Sequence, residues 1–168
     1  MVKTPFEEIF QQLNQQNVVY LVVGGLAVVL HGHLRTTADI DLVLALDREN
    51  VLNAVKALKA VAFQPRPPVP FEELAEPEKR AAWIREKGLT VFSAYSKRFP
   101  GIEVDLFVIE PFDFNAVFTR AARITIDETI VTVISLNDLI EMKKKVGRPL
   151  DLEDVRALEA IMKAGRGT

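Results

Sequence analysis

Asp39 and Asp41 stand two residues apart in the run DIDLVLAL, and this spacing is the chemically informative feature of the chain. A strand sends alternate side chains to opposite faces, so both carboxylates project from one face, about 6.5 Å apart along the strand. Ile40, Leu42, Leu44 and Leu46 point the other way. Two carboxylates on a mostly apolar strand repel each other and are poorly solvated unless a cation lies between them. A third carboxylate, Asp105, sits in GIEVDLFVI, where Ile102, Val104, Leu106 and Val108 make one face and Glu103 and Asp105 the other. If that strand pairs near the first, three carboxylates share a sheet face. Such a trio suits two magnesium ions, which stabilise the attacking and leaving oxygens of a phosphoryl displacement.

The glycine pair Gly24-Gly25 supplies the complementary chemistry. The apolar run Val18 to Val23 reads as a buried strand, and the glycines turn it into a short helix over 26–31. Free backbone N–H groups at such a turn cradle phosphate oxygens. One triphosphate touches both glycines and aspartates only if the first strand ends beside the start of the second, which makes the two antiparallel. Each feature also has a purely structural reading. Asp39 can merely begin a strand, Gly24-Gly25 can be a tight turn, and Arg35 can pair with a core carboxylate. Lys143-Lys144-Lys145 can be a solvated helix face, and Asp151 reads first as a helix N-cap. His31 and His33 show no metal-binding spacing, and His31 in an apolar helix reads as a hydrogen-bonded core residue. The combination carries the chemistry.

The elements that must position these residues follow from local patterns. Thr4-Pro5-Phe6-Glu7 is a capping box, and Phe6, Ile9, Phe10 and Leu13 fall on one face of a helix over 5–16. The second strand runs over 39–46, and Asp47 caps a helix carrying Val51, Leu52, Val55 and Leu58 inward. QPRPPVP, from Gln64 to Pro70, reads as an extended loop, and Pro77 to Gly88 as an amphipathic helix anchored by Trp83. Together, 65–88 is expected to be an inserted flap with few core contacts, beside the site. Residues 89–95 and 102–109 form a hairpin, and 124–126 and 130–134 another. Ser135 caps a helix ended by Gly147, and a last helix turns Leu152, Val155, Leu158 and Ile161 inward. The hairpins predict a mixed α/β sheet with flanking helices and a helical tail over 136–164, on a core of 5–134, all one domain over 1–168.

Composition closes off other classes. The net charge of −2 gives no broad field for polyanions, so DNA is not an expected partner. With no cysteine there is no thiolate site or thiol nucleophile, and no apolar run is long enough to span a membrane. A cytoplasmic protein is expected.

G-G, a short helix, R-x-T-x-D-I-D-L and a later Asp105 between Val104 and Leu106 resemble the DNA polymerase β-type nucleotidyltransferase superfamily. The tail SLNDLIEMKKKVGRPLDLEDVRAL resembles the closing motif of small bacterial members akin to the AbiEii toxin group, so the likeness spans roughly 18–160. The resemblance implies a mixed-sheet nucleotidyltransferase that moves NMP from an NTP to a hydroxyl of a small molecule, protein or RNA. It implies magnesium and nucleotide binding by Asp39 and Asp41, with Asp105 completing the metal site and activating the acceptor hydroxyl. It further implies that Gly24 and Gly25 line the phosphate loop and that Arg35, Thr37, Lys143 and Arg148 meet phosphate or acceptor charge. Asp151 would orient the lysine, and a toxin or antitoxin protein would be the cognate partner. Many members carry a hydroxyl residue in the glycine loop, whereas Leu26 follows Gly25 here. A silent nucleotide- or protein-binding module on the same fold is the rival reading.

Overall fold

Four helices begin on side chains suited to cap them. Thr4, Asp47, Asp113 and Ser135 accept backbone N–H groups of α1 (Pro5–Gln15), α3 (Arg48–Ala60), α5 (Phe114–Thr119) and α6 (Leu136–Val146) at 2.9–3.2 Å. Between them lie β1 (Tyr20–Val23), α2 (Gly24–Leu30), β2 (Asp39–Leu44), β3 (Phe63–Pro65), α4 (Pro77–Lys87), β4 (Val91–Ser96), β5 (Glu103–Phe107), β6 (Ala122–Ile126) and β7 (Thr129–Val133), and α7 (Pro149–Arg166) follows. The computed structural model describes residues 2–166.

The strands form one seven-stranded mixed sheet in the order β3-β4-β5-β2-β1-β7-β6. β1 runs antiparallel to β2, as the shared-triphosphate argument requires, whereas β2 pairs with β5 and β1 with β7 in parallel. The apolar face is covered. Phe10 of α1 stacks on Tyr20 with ring centroids 5.8 Å apart, and Ile40, Leu42, Val104 and Leu106 are fully buried. Asn50 of α3 ties the sheet to this layer, because its amide bonds the backbone of Val19 and Ala45 at 2.8–2.9 Å. The opposite face carries the carboxylates. There α2 meets α6, and α6 packs on α7; His31, closing α2, bonds the Ile134 carbonyl at 2.7 Å.

Several boundaries differ from expectation for identifiable reasons. β3 includes Pro65 in what reads as a loop; as an edge strand of the sheet it tolerates a residue with no N–H to donate. Segment 65–88 is no thinly attached flap. A 3-10 turn over Phe71–Ala75 and α4 bury Phe71, Leu74, Ala75 and Trp83, and Phe71 and Trp83 pack their rings on Phe92 at 5.8 and 5.3 Å. Phe92 is adjacent to Ser93 on β4, so these rings lie on the face away from Asp105. The start of the segment, at Arg66, does reach the carboxylate side, beside Asp39 and Glu103. The helix after the glycines starts at Gly24 itself. In the tail, α7 starts at Pro149, so Asp151 is a first-turn residue reaching back to the Arg148 N–H at 3.2 Å, not the N-cap. Leu152 is exposed; the inward stripe is Asp151, Asp154, Val155 and Leu158, spaced by three and four.

Candidate active site

Asp41 sits at the crossing of three strands. It pairs with Val23 of β1 on one side and with Asp105 of β5 on the other, while Asp39 pairs with Glu103 one step away. Residues facing each other across a register share a face, so Asp39, Asp41 and Asp105 all point the same way. Ser93 of β4 lies in the same row and its hydroxyl donates to Asp105 Oδ1 at 2.5 Å, fixing the rotation of that carboxylate.

Gly24 follows Val23 directly and therefore meets Asp41 at close quarters. An added Cβ at Gly24 would stand 2.2 Å from Asp41 Oδ2, and its φ of +68° lies in the left-handed region. Gly25 is crowded in its own way, since a Cβ there would stand 3.0 Å from both Arg35 Nη2 and Thr37 Oγ1. Gly24→Ala should thus both strain the turn and push Asp41 aside. The strain costs about 1–2 kcal/mol, visible as a lowered unfolding temperature, and displacement of a positioned group lowers transfer by on the order of a hundredfold.

A buried ion network closes the other side. Asp154 of α7, 1 % exposed, accepts from Arg35 at 2.5 Å and pairs with Lys143 of α6 at 2.9 Å. Lys143, itself buried, also reaches Asp151 at 3.3 Å, and Asp151 takes the Arg148 Nε at 2.7 Å. Three cations against two carboxylates leave one positive charge to spare, opposite the acidic sheet face. Burial opposes the charged form of Asp151, but the contacts from Arg148 and Lys143 outweigh it and hold its carboxyl below the usual range.

The sheet-borne carboxylates behave in the opposite sense. Burial, and then the charges of Asp105 and Asp39, push Asp41 up to about 6, against smaller opposing effects of Lys143 and Arg148. Asp39 is raised too, by burial and by Asp105 and Glu103. The native chain therefore holds a proton between roughly pH 4 and 6 that the unfolded chain has released. The stabilisation is full below the unfolded value and is lost as pH rises through the native one. At pH 7 the metal-free protein should gain roughly 2 kcal/mol from Asp41→Asn, after discounting for partial solvent access. Chemical denaturation of both proteins from pH 4 to 8 checks this; parallel curves would refute it.

The sequence-derived residues come together: Gly24, Gly25, Arg35, Thr37, Asp39, Asp41, Asp105, Lys143, Arg148 and Asp151 all line one cavity of about 600 Å³. The three carboxylates share it without closing into a ready-made cage, and among the described residues no three His, Cys, Asp or Glu side chains are grouped tightly enough to hold an ion as they stand. Asp154 and Ser93 belong to the arrangement and were missed as site residues. Asp154 carries a sequence signal, an acidic residue on the apolar stripe of α7; Ser93 carries none, because only its register with Asp105 brings it in.

Among the solved structures that share this architecture are the following three. The lincosamide antibiotic adenylyltransferase LnuA, bound to lincomycin, is 15% identical with a TM-score of 0.61, covering 94% of this chain and 98% of that one. ANT(2'')-Ia, in complex with adenylyl-2''-tobramycin, is 16% identical with a TM-score of 0.58, covering 96% and 95%. An antigenic nucleotidyltransferase-like protein from Paracoccidioides brasiliensis is 19% identical with a TM-score of 0.55, covering 96% and 78%. No curated protein matches the sequence. The mixed sheet with its carboxylate face under α2, α6 and α7 is the nucleotidyltransferase fold, and the chain is a nucleotidyltransferase. It belongs to the DUF6036 family, described as nucleotidyltransferases of unknown function, which matches residues 2–164.

Proposed function

We propose that this protein, as one nucleotidyltransferase domain over residues 1–168, moves NMP from an NTP to a hydroxyl acceptor and releases pyrophosphate. The observation that carries the reading is the single cavity in which the glycine turn, three carboxylates and Lys143 meet. Gly24, Gly25, Arg35 and Thr37 take the triphosphate, and Lys143 and Arg148 add positive charge. The acceptor oxygen attacks the α-phosphorus, the bond to the pyrophosphate oxygen breaks, and Asp105 receives the hydroxyl proton. Ser93 holds one oxygen of that carboxylate in place for the task.

The donor set fits a hard divalent cation: it consists of carboxylates, and at Asp39 and Asp41 burial and then neighbouring negative charge raise the proton affinity. Asp39, Asp41 and Asp105 would hold two magnesium ions, which supply charge neutralisation on the triphosphate. A smaller cavity of about 400 Å³ adjoins Asp39 and is lined by Arg66, Tyr95, Lys97 and Glu103, with the Arg66 guanidinium 4.8 Å over the Tyr95 ring. This is the entry for the acceptor. Its size suits a small hydroxyl compound, in keeping with the antibiotics bound by LnuA and ANT(2'')-Ia; a protein side chain or an RNA end are the other acceptor classes. A cytoplasmic role in a toxin–antitoxin pair, with a cognate protein partner, rests on the likeness of the Lys143…Gly147-Arg148-Pro149 tail to the AbiEii group. No helix among the described residues is long and apolar enough to cross a membrane.

The test incubates the full chain with magnesium, each of the four labelled NTPs and cell extract, and follows NTP binding separately by calorimetry. Magnesium-dependent label on any acceptor is the expected result. Tight NTP binding with no transfer to RNA, protein or small molecules would replace the enzyme by a binding module, the reading that Leu26 after Gly25 favours.

A further inference from the structure

We propose that the apolar cavity between the end of β5 and helix α6 is the nucleobase subsite, and that it selects purine triphosphates by ring size rather than by hydrogen-bonding pattern. The inference rests on the triphosphate reading above. The cavity holds about 500 Å³ and is walled by Phe107, Pro111, Leu139, Met142 and Val146. Phe107 lies two residues beyond Asp105 and therefore on the same sheet face, so cavity and carboxylates open to one side. The rim is shared: Gly24, Asp41, Lys143, Arg148 and Asp151 border both this cavity and the polar one beside it. One molecule can thus occupy both. Among the participants in the proposed reaction, the nucleotide alone is a polyanion at one end and a flat, weakly polar ring at the other. The acceptor entry at Asp39, Arg66 and Tyr95 shares none of the apolar walls.

Away from the rim the walls offer no side-chain donor or acceptor except Lys145, which is exposed. A ring held by Phe107 and the flexible thioether of Met142 gains from contact area, to which adenine and guanine contribute alike. Large discrimination between similar ligands comes from buried polar partners left unpaired, and an apolar wall lacks these.

Calorimetry on the full chain with magnesium, titrating ATP, GTP, CTP, UTP and inorganic tripolyphosphate, tests the proposal. ATP and GTP should bind within about tenfold of each other, and each at least roughly tenfold tighter than tripolyphosphate, with CTP and UTP between. Val146→Ala at the half-exposed edge and Met142→Ala should each weaken ATP and GTP about three- to tenfold and leave tripolyphosphate unchanged; Met142→Leu, which keeps the volume, should restore most of the affinity. Photolabelling with 8-azido-ATP should mark α6. Preference for one purine by more than a hundredfold, NTPs binding no tighter than tripolyphosphate, or variants that fold yet bind ATP as wild type does would each overturn the subsite while leaving the triphosphate reading intact. Failure of tripolyphosphate and all four NTPs to bind would instead remove the triphosphate reading, and the subsite with it.

Discussion

Asp105→Asn is expected to abolish nucleotidyl transfer while leaving most NTP binding in place, whereas Asp41→Asn damages both. The difference follows from position. Asp105 accepts from Ser93 at 2.5 Å; in the proposed reaction it receives the acceptor proton, which its amide replacement cannot take. The triphosphate still has Gly24, Gly25, Arg35 and the other aspartates. Asp41 lies so close to Gly24 that an added Cβ there would meet it, and it stands between β1 and β5, so in the proposed reaction its carboxylate serves nucleotide binding and the acid–base centre together. Loss of such a group costs on the order of 3 kcal/mol or more in the barrier, over a hundredfold in rate. Rates of magnesium-dependent NMP incorporation, set beside NTP affinities by calorimetry, separate the two variants. Equal loss of binding in both would contradict the assignment. Asp41→Asn carries a second signature, since it should also make the metal-free protein harder to unfold at neutral pH.

The second large effect is expected at Asp154. This carboxylate is 1 % exposed and pairs with both Arg35 and Lys143. Removing one member of a buried ion network leaves cations without compensation, which costs about 3–5 kcal/mol. Asp154→Ala should lower the unfolding free energy by that much, read from chemical denaturation. Asp154→Asn, which keeps the shape, should destabilise less but still weaken NTP binding, because Lys143 loses its anchor. Lys144→Ala is the control, since Lys144 pairs with Glu159 at the surface and should leave both properties nearly unchanged. An Asp154→Ala protein as stable as wild type would remove the network from the account.

Much of this centre is written in short-range patterns. The two-residue spacing of Asp39 and Asp41 and the alternation around Asp105 are strand periodicity, which survives without any knowledge of the partner strand. The antiparallel β1 and β2 followed from one chemical demand, that a single triphosphate touch both ends. What escaped depends on pairing or packing over long separations. Ser93 is an ordinary strand serine until β4 is placed against β5. Phe71 and Trp83 look like a thin stripe because their partner, Phe92, comes later in the chain, so a packed segment reads as a loose flap. Leu152 reads as inward by its apolar type although its helical angle turns it out, and Asp154 stays hidden because its charge argues against a place that its spacing demands.

The bond between Arg35 and Asp154 spans 119 positions of the chain, and that separation sets an order of events during synthesis. The glycine turn and the aspartate pair leave the ribosome early, and the strands that carry them are close enough in sequence to pair locally. The carboxylate that organises Arg35 and Lys143 emerges only after β7 and α6 have been made. Until then Arg35 has no anchor and Lys143, once made, lacks its buried partner, so the half-made chain holds its acidic groups without their counterweight. On the proposed reading of the site, which takes Lys143 and Asp154 from the last two helices, activity is expected to switch on with completion of the fold rather than to grow with chain length.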